Sequence, residues 1–71
     1  MKEYIAVAKD DLKYPEYRNL NWIKGERYAV KEESHTLMVE SETGNFYFSP
    51  EMKDKLREVF DFEDEDERVI K

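Results

Sequence analysis

The short frame Trp22-Ile23-Lys24-Gly25-Glu26-Arg27-Tyr28-Ala29-Val30 constrains this chain more than any other segment. Gly25 can take a positive φ that would strain most residues, so a turn at Lys24-Gly25 is predicted. A strand over about 26–32 follows, with Tyr28 and Val30 on one face and Arg27, Ala29 and Lys31 on the other. Further on, Glu42-Thr43-Gly44-Asn45 leads into Phe46-Tyr47-Phe48. Thr43-Gly44 is the strongest turn signal in the sequence, because Gly44 suits the left-handed position of a short hairpin loop. Frame and hairpin together predict the strands and turns of one small β-rich domain. They name no reaction and no ligand.

With 71 residues the chain has room for one domain and one small core. Apolar residues make up only 39%, but 14% of the chain is aromatic, and large rings fill a small core efficiently. There is no cysteine, so disulfides, thiolate nucleophiles and thiolate metal sites are excluded. No apolar run approaches the roughly 18 residues of a membrane span. The start, Met1-Lys2-Glu3-Tyr4-Ile5, is too short and too charged for a secretory signal, so a cytoplasmic location is expected. The net charge is -6, unevenly spread. Residues 1–60 hold 12 acidic and 10 basic side chains, whereas residues 61–71 hold six acids and two bases. The folded part is therefore nearly balanced, and an acidic end supplies most of the excess. Such a field repels nucleic acid and anionic lipid at long range.

Residues 4–8 alternate as a first strand, with Tyr4, Ala6 and Ala8 on one face and Ile5 and Val7 on the other. Residues 13–21 show no sustained period, and Pro15 disfavours helix at Tyr14, which predicts a long loop pinned to the core by its aromatics. A third strand over about 36–41 puts Leu37 and Val39 on one face and Thr36, Met38 and Glu40 on the other. A fourth strand spans 45–48. Ser49-Pro50-Glu51 reads as a helix start, with Ser49 as N-cap and Pro50 at the first helical position. Met52, Leu56, Val59 and Phe60 form an apolar stripe, predicting a helix from about 50 to 60. Residues 1–62 are read as a single small domain and 63–71 as an acidic C-terminal tail. Residues 63–67 contain nothing to bury and are expected to be solvated, while Val69 and Ile70 fit either a short closing edge strand or a segment that docks in a partner. The fold class expected is a β-rich α+β domain: a small curled antiparallel sheet with one C-terminal helix.

Trp22-x-x-Gly25-x-x-Tyr28-x-Val30, then Leu37-x-Val39, Glu42-x-Gly44 and Phe46-x-Phe48, resemble the SH3-like small barrels of short bacterial and phage proteins. The resemblance covers residues 20–48. It implies a partly open barrel that binds a ligand or partner through its loops, with no fixed set of functional residues. In that class a short turn often leads from the fourth strand to a fifth. Here the apolar stripe predicts a helix of about three turns instead.

His35 is the one histidine and sits in a polar turn, Glu32-Glu33-Ser34-His35. A catalytic histidine needs oriented partners, and none is legible, so an exposed turn residue is expected. The doublets Asp10-Asp11 and Glu32-Glu33 place neighbours on opposite faces of a strand, which does not make a facing carboxylate pair. The acidic end lacks the glycine and ligand spacing of a calcium loop. No catalytic residue, metal ligand or cofactor is therefore assigned. Tyr14, Tyr17, Trp22 and Tyr47 form the candidate binding set, since Trp and Tyr combine apolar area with a polar tip. Trp22 is also the residue best suited to plug the core. The function expected is that of a small non-catalytic protein-binding or regulatory module, a monomer or weak homodimer with no membrane association. A nucleic-acid-binding small barrel is the first alternative, disfavoured by net charge. A small enzyme is the second.

Overall fold

Side chains alternate along a strand, so each strand of this chain has one face to bury and one to leave open. A computed structural model gives the structure of residues 2–63. Five strands form: β1 (Lys2–Ala8), β2 (Arg27–Glu32), β3 (Leu37–Ser41), β4 (Gly44–Phe48) and β5 (Phe60–Glu63). A 3-10 turn, Pro50–Met52, and one α turn, α1 (Lys53–Leu56), connect β4 to β5. The sheet runs β4-β3-β2-β1-β5, and all neighbours are antiparallel. Its ends are β4 and β5, so the sheet is open.

The buried face carries Tyr4, Ala6 and Ala8 of β1, Tyr28 and Val30 of β2, Leu37 and Val39 of β3, and Phe60 of β5. Trp22 from the long loop and Leu56 from α1 cover it. Small residues at positions 6 and 8 of a central strand leave volume for large rings above them. Trp22 and Phe60 meet there edge to face at 5.4 Å. Tyr4 is fully buried, and its hydroxyl donates to Glu32 Oε1 at 2.8 Å. Lys53 Nζ donates to the same oxygen at 2.9 Å, which fastens α1 to the sheet.

The segment after Ser49 departs from the predicted long helix. Ser49 makes no side-chain cap bond, and the α turn ends at Leu56. Only Leu56 of the apolar stripe is buried in α1, while Met52 is exposed and Phe60 begins β5. The reason is a competing period. Phe60 and Phe62 are two apart with Asp61 and Glu63 between them, which is strand spacing. β1 offers an edge, and Ala8, Val7, Ala6 and Ile5 pair with Phe60, Asp61, Phe62 and Glu63. Lys9 and Arg27 hold the outward acids Asp61 and Glu63.

Met38 also departs from expectation. It lies on the outer face, as its alternation demands, yet is nearly buried. In register it sits directly between Lys31 and Tyr47, whose long side chains flank it. The acidic run from Asp64 onward and the Val69-Ile70 pair lie outside the described residues.

Candidate functional site: an apolar cleft beside the long loop

The chain between β1 and β2 folds back on itself. Leu12 and Trp22 pair as an antiparallel bridge, with Leu12 N–H donating to the Trp22 carbonyl at 2.9 Å and Trp22 N–H returning to the Leu12 carbonyl at 3.1 Å. Gly25 closes the return at φ 85, and its N–H donates to the Ala8 carbonyl at 2.9 Å. Asp11 holds this base, accepting from Lys24 N–H at 2.8 Å. Tyr28 holds it from the sheet side. Its buried hydroxyl accepts from Ile23 N–H at 2.9 Å and donates to Glu42 Oε2 at 2.8 Å. Burial, with the neighbouring Glu42 carboxylate, pushes the Tyr28 hydroxyl pKa up.

Asn21 fixes the loop to the β3–β4 turn. It is completely buried, and polar side chains are rarely so buried without partners. Its Oδ1 accepts from Tyr14 N–H at 2.7 Å, and its Nδ2 donates to Thr43 Oγ1 at 2.6 Å. Its own N–H reaches the Leu12 carbonyl and its carbonyl accepts from Glu42 N–H. One residue thus ties both sides of the loop to the hairpin. Sequence reasoning passed over Asn21. Its only signal is a polar residue immediately before a core tryptophan.

Tyr14-Pro15-Glu16-Tyr17 is a tight turn, with Tyr17 N–H donating to the Tyr14 carbonyl at 3.0 Å and Pro15 at the position that favours it. It brings two half-buried tyrosines onto Phe46. Tyr14 stacks on that ring at 5.1 Å, and Tyr17 lies tilted against it at 5.7 Å. Trp22 joins from beneath, 4.9 Å from Phe46, and its indole N–H donates to the Glu40 carbonyl at 2.8 Å. Burial raises the Tyr14 pKa, with Glu16 and Tyr17 adding to the effect.

Three of the four candidate residues, Tyr14, Tyr17 and Trp22, therefore share one aromatic cluster. Tyr47 does not. It is 67% exposed on the outer face of β4. Trp22 is 3% exposed and belongs to the core while forming a wall of the site. His35 is exposed in the bend between β2 and β3.

Between the loop and the segment leading to β5 lies a cleft of about 210 Å³. Its lining brings together Leu12, Tyr14 and Trp22 of the loop, Leu56, Val59 and Phe60 of the segment leading to β5, and Phe48 of β4. Lys13 is the one charged residue in its lining, and the lining holds neither carboxylate nor histidine. The end of β1 is tied to the segment before β5, since Lys9 N–H donates to the Val59 carbonyl at 2.9 Å and Lys9 Nζ to the Arg57 carbonyl at 3.0 Å. Among the described residues no helix is long and apolar enough to cross a membrane, and no group of acidic residues and histidine is placed to hold a metal ion. Comparison with protein-family models, curated proteins and solved structures gives no match to this chain.

Proposed function

We propose that the chain is a small non-catalytic protein-binding module built on an SH3-like, partly open barrel, and that the cleft beside the long loop receives an apolar side chain of its partner. The antiparallel strand order, in which the first strand pairs with both the second and the last, supports the barrel reading. The cleft carries the functional one. Water has a volume of about 30 Å³ and needs two or more polar partners to be held well, and this apolar lining supplies few. Replacing weakly held water by an apolar group gains affinity. A leucine-sized side chain contributes about 2 kcal/mol when fully buried. Tyr14 in the lining adds rigid, amphipathic contact area.

The test is a random peptide library selected on the full chain, with the selected peptides mapped by amide chemical shifts. The expected result is enrichment of peptides with a large apolar residue and shifts at residues 12–17 and 56–60. Enriched peptides that leave those amides unmoved, or no enrichment at all, would defeat the proposal.

A further inference from the structure

The two edges of the sheet are treated differently. At β5 the outward side chains are Asp61 and Glu63, each ion-paired to a neighbouring cation. Charged edges of this kind block strand-to-strand association. β4 reads Gly44-Asn45-Phe46-Tyr47-Phe48, with no charge and no proline. Among the described residues no strand pairs with its far side. Its exposed Tyr47 borders a shallow hollow of about 240 Å³ on the outer face, lined by Lys31, Glu33, Thr36, Met38, Asn45 and Tyr47.

We infer that β4 is a self-association edge, and that its occupant is β4 of a second copy of this chain. An antiparallel pairing about a two-fold axis is self-complementary. The register that pairs all five residues puts Phe46 opposite Phe46 of the second copy and Asn45 opposite its Tyr47. No like charges face each other along this strand, whereas any β5–β5 pairing would oppose acids. Phe46 already carries the loop tyrosines on its inner face, so the pairing continues the aromatic cluster across the seam. A five-residue strand is small against the 20–30 residues per side of a standard interface, so the dimer is weak and reversible. Each copy carries net charge -6, so association strengthens as salt screens the repulsion. The edge is separate from the cleft lining apart from the adjoining strand end at Phe48.

Sedimentation equilibrium of the full chain tests this. The mass should rise from 8.6 kDa toward twice that value in the high-micromolar range, more steeply in high salt. Asn45→Lys and Tyr47→Lys should each hold it at the monomer, with unchanged circular dichroism. The double variant Asn45→Lys/Tyr47→Glu puts opposite charges across both outer pairs and should restore the dimer. A wild-type mass that stays monomeric at millimolar concentration overturns the proposal. So does a dimer that persists in both single variants, or a double variant that remains monomeric. Because peptide binding in the cleft is read separately, either proposal can fail while the other stands.

Discussion

Asn21 is the residue on which the loop depends. Replacing it by alanine removes the acceptor for Tyr14 N–H and the donor to Thr43, at a site with no exposure to water. Leaving a buried group unpaired costs about 1–3 kcal/mol, so Asn21→Ala should lose roughly 2–3 kcal/mol in urea unfolding. Tyr47→Ala, at an exposed position, should stay within about 0.5 kcal/mol of wild type. Equal midpoints for the two variants would remove Asn21 from its assigned role. Glu32 makes a second, pH-dependent prediction. Burial disfavours its charge, but hydrogen bonds from Lys53 and Tyr4, with the Lys53 charge, outweigh burial and hold the carboxyl below its ordinary 4.5. A carboxylate depressed by folding stabilises the fold above its unfolded pKa and loses that contribution as pH falls through its folded value. Glu32→Gln should therefore cost about 1–2 kcal/mol at neutral pH, with the gap to wild type closing below pH 4.5. A gap independent of pH, measured by urea unfolding across that window, would contradict the role given to its charge.

The elements show where sequence patterns suffice and where they compete. β2, β3 and β4 were legible because alternation and turn glycines agree: Gly25 and Gly44 both take positive φ, and Leu37, Val39, Phe46 and Phe48 point to the same face. The segment 50–60 was misread because Met52, Leu56, Val59 and Phe60 also fit helical spacing. The decision belonged to the open edge of β1, a tertiary partner that no local pattern displays. The cluster of Tyr14 and Tyr17 against the core was legible from the aromatics of the loop. Its anchor was not, because Asn21 acts through bonds to distant Thr43 and Glu42. Gly25 gives the test at this scale. A Cβ there would touch nothing within 4 Å, so substitution acts through the backbone alone. Gly25→Ala at φ 85 should cost about 1–2 kcal/mol in thermal or urea unfolding. No measurable loss would mean that the loop return does not need the left-handed conformation.

At the scale of the whole molecule, charge and shape divide the surface. The net charge of -6 opposes phosphate binding, and the exposed Tyr47 has Glu33 as well as Lys31 around its hollow. Titration with labelled single- and double-stranded oligonucleotides at low salt should show no saturable binding. Saturable binding there would favour the nucleic-acid alternative over protein recognition. The opposite face gathers the loop, the sheet and the segment before β5 around one apolar cleft, across which Trp22 and Phe60 meet edge to face. A cleft ordered before binding avoids the entropic cost of assembling it. Methyl-resolved NMR of the full chain titrated with N-acetyl-leucine amide reads whether the cleft takes an apolar side chain. The methyl signals of Leu12, Leu56 and Val59 and the Trp22 indole should shift together and saturate, with Met38 on the outer face unmoved. Uniform small shifts across the molecule, or a response centred on Met38, would contradict it.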